Sequence, residues 1–274
     1  MQGTGHNFGI VTFITSKIYD VQHRDWAYEM FLFKSDKVEG LYESINKHLL
    51  YNGSPPVDII NYGFFLNNPD IDSKPITFFY ILQEGVKTVD STYTKPFHDV
   101  GPIVTDTGSG TYTDLPRWTG LDNEAASCQH TGLANTRFPI DIESYDVPAM
   151  RKFYDLFASA TQETPALNAS FLLVKGYSLA GVKAVPSAAT AFAFAFRSDN
   201  LLVAPKATDL GNELRRILYE ASGRSELHTY IDYAFGDETP KNWYGHEEWC
   251  QDRLLALKNK YDPERKFSFY APIV

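Results

Sequence analysis

Strand-like and helix-like runs in this 274-residue chain follow one another without a regular strand–helix–strand rhythm, and several strand-like runs are linked as hairpins. That order constrains the fold more than any other feature. Neighbouring parallel strands need a long crossover, usually a helix, whereas antiparallel strands can be joined by a tight turn. The pattern predicts an α+β fold: a large, mostly antiparallel sheet with helices packed on one face, plus a C-terminal helix. Strands are expected at Phe8 to Tyr19, Trp26 to Lys34, Val57 to Leu66, Ile76 to Gln83, Ala169 to Tyr177, Thr190 to Phe196 and Leu201 to Ala204. The third and fourth are separated by the turn-forming run Asn67-Asn68-Pro69-Asp70, which reads as a hairpin.

Helical spacing of Val38, Leu41, Tyr42, Ile45 and Leu49 predicts a helix from Asp36 to Leu50, with Ser35 or Asp36 as its N-cap. Further helices are expected from Pro148 to Ser159, from Asp209 to Ala221 with Ser222-Gly223 as its stop, and from Trp243 to Lys260, halted at Tyr261-Asp262-Pro263. Residues 84–145 are rich in Gly, Thr and Asp and weakly patterned; a short helix fits Val89 to Val100.

Aromatic residues make up 15% of the chain, which suits a wide sheet or a flat apolar ligand surface. The net charge of −9 and the absence of basic clusters argue against nucleic acid as a partner. No run approaches the 18 apolar residues of a membrane span. As written, the chain has no charged and apolar leader, so the sequence taken by itself reads as cytoplasmic. Cys128 and Cys250 are too few for a disulfide framework, and spacing does not say whether they pair. His246 and Cys250 stand four residues apart on the expected last helix, a spacing two ligands of one zinc can use; no third ligand is recognisable, and no metal site is assigned.

Near the N-terminus, Gly3-Thr4-Gly5-His6-Asn7-Phe8-Gly9-Ile10-Val11-Thr12 runs a glycine-rich turn into a strand-like segment. Glycines strip side chains from the backbone, so a large ligand can approach it. This segment resembles the last strand of the flavin domain in berberine bridge enzyme-like oxidases, FAD-linked oxidoreductases of the vanillyl-alcohol-oxidase group. Thr229-Tyr230-Ile231-Asp232-Tyr233 is similar to that family's Tyr-x-Asn-Tyr segment. Trp243-Tyr244-Gly245, the run from Arg253 to Phe267, and Ser268-Phe269-Tyr270-Ala271-Pro272-Ile273 resemble its C-terminal signature, the last in its fungal form.

The resemblance implies three parts: residues 1–20 as the last strand of a flavin-binding domain, 21–228 as a substrate-binding domain and 229–274 as the C-terminal segment. It implies FAD as cofactor, contacted by Gly5, His6, Asn7, Phe8 and Gly9. It also implies oxidation of a small, largely apolar secondary metabolite. Tyr230, Asp232 and Tyr233 are the catalytic candidates: a base removes a substrate proton while hydride moves to the flavin. A phenol does this only if a neighbour lowers its pKa from about 10. Two departures stand out. The family's larger flavin domain, with its pyrophosphate loop, is missing from this sequence. Asp232 replaces the usual Asn, and a carboxylate cannot donate to a flavin carbonyl unless it is protonated.

Alternation in Phe171 to Tyr177 sets Lys175 and Tyr177 on one face as candidate substrate-binding residues, while Asn61 and Tyr62 offer a second pair on opposite faces of their strand. Two other readings remain open. In the first, the chain acts without flavin as a cyclase or isomerase, with Asp232 as a buried acid among aromatics. Alternatively it is a non-catalytic binding module, or a half-enzyme that meets a separate flavin-domain chain, or a second copy of itself, through an exposed N-terminal sheet surface.

Overall fold

The computed structural model describes residues 7–125, 137–190, 200–204 and 208–274. Its framework is a seven-stranded sheet in which every neighbouring pair is antiparallel. The strands are β1 (Asp25–Phe33), β2 (Ile59–Leu66), β3 (Ile76–Glu84), β4 (Val104–Thr111), β5 (Phe138–Ile142), β6 (Phe171–Tyr177) and β7 (Asn200–Ala204), in the spatial order β4-β1-β3-β2-β6-β7-β5. The α+β expectation and the β2–β3 hairpin are both met.

The helices are α1 (Val38–Ser44), α2 (Ser91–Val100), α3 (Leu115–Trp118), α4 (Val147–Glu163), α5 (Ala180–Lys183), α6 (Thr208–Ala221), α7 (Pro240–Tyr244) and α8 (Glu248–Tyr261). Asp90 caps α2 by accepting from the Thr92 N–H at 2.8 Å, and Asp146 caps α4 by accepting from the Ala149 N–H at 2.8 Å. Helices α1, α2, α4 and α6 cover one face of the sheet. Met150, Phe153, Tyr154 and Phe157 of α4 join Phe31, Phe65 and Phe79 of the strands in the main core. Alternation along the strands sends the intervening side chains to the opposite face, where Trp26, Tyr62, Tyr80, Leu82 and Leu173 form a second apolar layer.

Several expected elements differ. Residues 9–20 form neither strand nor helix: no strand of the described sheet pairs with them, and the Asp20 carbonyl bonds only locally, to the Gln22 side-chain amide at 3.3 Å. The helix expected over 36–50 is divided into a 3₁₀ turn (Ser35–Lys37), α1 and a π-helical turn (Ile45–Leu49). The long last helix is split into α7 and α8 at Gly245, whose φ of 97° interrupts the helical path. The strand expected from Thr190 to Phe196 lies almost wholly outside the described residues.

Candidate active site

The register of the sheet builds the face opposite α1, α2, α4 and α6 row by row. Directly opposed residues share a face, and one row runs across all seven strands: Asp106, Met30, Tyr80, Tyr62, Lys175, the position of Leu201, and Asp141. A second row sets Gly108, Tyr28, Leu82, Ile60 and Tyr177 side by side. A third includes Phe78, Phe64 and Leu173. The rings make a continuous floor: Phe64 stacks on Phe78 at 5.0 Å, and Tyr62 meets Tyr80 edge-on at 6.3 Å. At the β4 end, the Tyr28 hydroxyl donates to the Asp106 carboxylate at 2.6 Å and its ring lies 4.9 Å from Trp118. Partial burial and that carboxylate push the Tyr28 hydroxyl up to about 12. Gly108 leaves room for the Tyr28 ring, which a Cβ there would meet at 2.5 Å.

Positive charge enters near the other end. The Lys175 ammonium lies 5.8 Å from the ring centre of Tyr62 and 5.7 Å from that of Tyr233, and the Arg137 guanidinium lies 5.4 Å from Tyr233. Tyr233 and Tyr230 sit on a 3₁₀ turn, Ile231–Tyr233, with their rings edge-on at 5.5 Å. The Tyr270 hydroxyl holds this turn by bonding to the carbonyls of Ile231 (2.7 Å) and Ala234 (2.9 Å).

The residues singled out from sequence fall into three groups. Tyr62, Lys175, Tyr177, Tyr230 and Tyr233 are brought together on the face opposite α1, α2, α4 and α6, with Tyr62 buried beneath the others. Asp232 is there too, but exposed, not buried among aromatics, and it accepts from the Tyr230 hydroxyl at 2.6 Å. Burial first, and then this carboxylate, push Tyr230 well above the ordinary phenol value. In this arrangement Tyr230 is a proton donor, not a base. Burial also raises Tyr177, with Asp141 adding to the effect.

Asn61 faces the opposite way. It has the parity of Ile59 and Phe65, is buried on the helix side and lies against Gly176. It therefore does not share a surface with Tyr62.

Asn7 and Phe8 lie at a third place. The Asn7 side chain is fully buried; its amide N–H groups donate to the Tyr244 hydroxyl (2.6 Å) and the Ala271 carbonyl (3.2 Å), and its carbonyl accepts from the Ile273 N–H (3.1 Å). The Asn7 backbone carbonyl accepts from the Lys258 ammonium at 2.6 Å. Lys258, also fully buried, bonds to Asp262 at 2.6 Å and to the Phe267 carbonyl at 2.8 Å. Although burial opposes it, the Lys258 bond together with the Phe267 and Lys266 N–H groups holds the Asp262 carboxyl down at about 2. The C-terminal signature is thus a lock that ties residue 7 to the end of the chain, and the Asn7 side chain is spent inside it. Phe8 packs against the same cluster, Gly9 follows it in the chain, and Gly5 and His6 lie outside the described residues.

His246 precedes α8, so it does not share a helix with Cys250, which is buried and free with its thiol raised by burial. Cys128 lies outside the described residues. Sequence reasoning missed Tyr28, Tyr80, Asp106, Arg137 and Trp118; the alternation of β1 and β3 carried the signal for the first two.

An antiparallel sheet with helices on one face is a fold that solved berberine bridge enzyme-like oxidases share. The described part of the chain has the fold of a xylooligosaccharide oxidase from Myceliophthora thermophila (TM-score 0.71, 17% identity, 99% of this chain and 59% of that one). A berberine bridge enzyme variant gives a TM-score of 0.65 at 13% identity, over 90% of this chain and 55% of that one. No family model matches. An FAD-linked oxidoreductase of Penicillium rubens is 47% identical over the whole chain, and one of Gibberella zeae is 45% identical. The chain corresponds to part of these FAD-linked oxidoreductases: it matches them over its whole length and spans 57% and 56% of theirs.

Proposed function

We propose that this chain provides the substrate-facing sheet of an FAD-linked oxidoreductase acting on a small, largely apolar secondary metabolite. The row Tyr80–Tyr62–Lys175, flanked by Tyr230 and Tyr233, carries this reading. Its residues fit a flat, electron-rich ring: stacked aromatic side chains supply an apolar floor, and Lys175 and Arg137 supply positive charge at its rim. When bound, FAD supplies the two-electron acceptor. Tyr62 and Tyr80, themselves buried, form the dry base on which the more exposed Lys175, Tyr177, Tyr230 and Tyr233 meet the substrate. Tyr177 keeps its proton and orients a substrate oxygen as a hydrogen-bond donor, whereas Tyr230, whose proton is held by Asp232, offers its oxygen as an acceptor. Tyr233, with both cations beside its ring, closes the rim of the floor.

The Asn7 lock leaves Phe8 and Gly9 at the head of an exposed run. Ile10, Phe13, Ile14, Ile18 and Tyr19 are each more than 70% exposed, which is far more contiguous apolar surface than an isolated chain normally shows. This run would be the surface for a flavin-domain chain or a second copy, with Phe8 and Gly9 at its edge toward the cofactor.

A second reading rests on the Tyr230–Asp232 pair, a proton donor and acceptor 2.6 Å apart at an open face. Such a pair suits flavin-independent isomerisation or cyclisation. One experiment separates the two: an absorbance spectrum after incubation with FAD and gel filtration. A retained flavin band supports the oxidoreductase reading. A monodisperse protein with no flavin band, and a proton-transfer activity lost in Asp232→Asn, would replace it with the second.

A further inference from the structure

Three groups left unused by the active-site face converge beside the edge strand β5, where the Asp141 N–H donates to the His228 carbonyl at 3.1 Å. Glu226, His228 and His246 each offer a ligand atom, and these atoms all lie within 4.8 Å of one another. Glu226 is exposed, His228 is buried and His246 is partly buried. Their proximity has a local cause: the Thr229 N–H bonds to the Asn242 carbonyl at 3.1 Å, and the Asn242 side-chain amide bonds to the Leu227 carbonyl at 2.9 Å. These bonds draw residues 226–229 alongside α7 and the turn that follows it. We propose that Glu226, His228 and His246 form a binding site for a divalent transition metal of the zinc class.

The chemistry and spacing both suit such an ion. Two imidazoles and one carboxylate are borderline ligands that favour Zn²⁺ over the harder Mg²⁺ and Ca²⁺. Tetrahedral ligands at ~2.1 Å from zinc stand roughly 3.4 Å apart. Glu226 Oε1 and His246 Nδ1 are already 3.6 Å apart, and the two imidazole rings are centred 6.0 Å apart, so small side-chain rotations close the set. Nε2 of His246 is buried without a hydrogen-bond partner, a state that costs free energy and leaves the ring able to turn toward a cation.

The charged neighbour is Arg224, whose guanidinium lies 3.0 Å from His228 Nδ1. Arg224 also bonds to the Asp141 carbonyl and the Glu143 carboxylate, each at 3.0 Å. Those two partners hold it if His228 turns to the metal, and Glu143 offsets part of its charge. Water fills the remaining coordination position on the exposed Glu226 side.

A metal here clamps the segment before the Tyr230–Tyr233 turn to the connection between α7 and α8. It therefore supports the site from its β5 edge without touching substrate. The test is calorimetric titration of the purified, metal-stripped protein with ZnCl₂, and in parallel with MgCl₂. The visible spectrum of the Co²⁺-loaded protein reports ligand geometry. The expected result is binding of a single Zn²⁺ per chain, a tetrahedral Co²⁺ band, no Mg²⁺ heat, and an affinity lowered about tenfold or more in Glu226→Gln and abolished in His246→Ala. Glu226 is exposed, so Glu226→Gln keeps the test decidable should His246→Ala fail to fold. No Zn²⁺ binding, or binding unchanged in Glu226→Gln, would overturn the proposal.

Discussion

Replacing Asn7 with alanine separates a structural lock from a cofactor contact. The Asn7 side chain makes bonds to the Tyr244 hydroxyl, the Ala271 carbonyl and the Ile273 N–H, all inside the protein. In Asn7→Ala the Tyr244 hydroxyl keeps its bond to the Ala271 carbonyl at 2.8 Å, so that pair loses little. The Ile273 N–H, by contrast, is left buried and unpaired. An orphaned donor costs about 1–3 kcal/mol, and a lost neutral hydrogen bond about 1 kcal/mol; together these give a destabilisation of about 2–4 kcal/mol. At roughly 2–4 °C per kcal/mol for a domain of this size, the midpoint should fall by roughly 5–15 °C. Differential scanning fluorimetry without added FAD reads this directly, and urea unfolding checks that the slope is unchanged. Asn7→Asp should be at least as damaging, because it puts a carboxylate against the Ala271 carbonyl. A melting midpoint within a degree or two of wild type in both variants would refute the lock.

Other consequences follow from the same packing. Gly211 of α6 faces the Phe138 ring so closely that a Cβ would lie 2.0 Å from it, and Phe138 is itself held by Phe235 at 4.3 Å. Gly211→Ala should therefore destabilise by about 1–2 kcal/mol in urea unfolding, with overpacking outweighing the ~1 kcal/mol gain in helix propensity. The Asp262 carboxyl is held at about 2, below its unfolded value of about 3.9. Its stabilisation is complete above the unfolded value and disappears as pH falls from about 4 through 2. The difference in urea midpoint between wild type and Asp262→Asn should shrink across that window and stay constant from pH 5 to 7. Gly108→Val should crowd the Tyr28 ring, displace it from Asp106 and return the phenol toward its ordinary value, read by ultraviolet titration of the tyrosines.

Much of the sheet is legible in the sequence because β1, β2, β3 and β6 alternate around large apolar side chains. That alternation also sets Tyr62 on one face and Lys175 and Tyr177 together on another strand, leaving only the register to join them. Strand β4 is not legible: Val104–Thr111 is an edge strand of Thr, Asp, Ser and Gly, mostly exposed, so no buried face marks its period. The break at Gly245 was readable in principle, since a glycine between two helical runs is a stop signal. The Asn7 lock was not, because its partners lie up to 266 residues away and no local pattern encodes that contact. The Glu226–His228–His246 group was hidden for the same reason. The visible spacing paired His246 with Cys250 along one helix, whereas the fold pairs it with a segment 18 residues earlier in the chain.

Titration of FAD with the purified protein, followed by quenching of flavin fluorescence, tests the central claim most directly. Wild type is compared with Tyr62→Ala and Lys175→Met. An aromatic, cationic floor that faces the flavin and its substrate predicts saturable quenching that weakens about tenfold in each variant, measured below the melting midpoint; that midpoint is little changed in Lys175→Met and lowered in Tyr62→Ala, because Tyr62 is buried. Quenching that is absent, or that is the same in all three proteins, would contradict it.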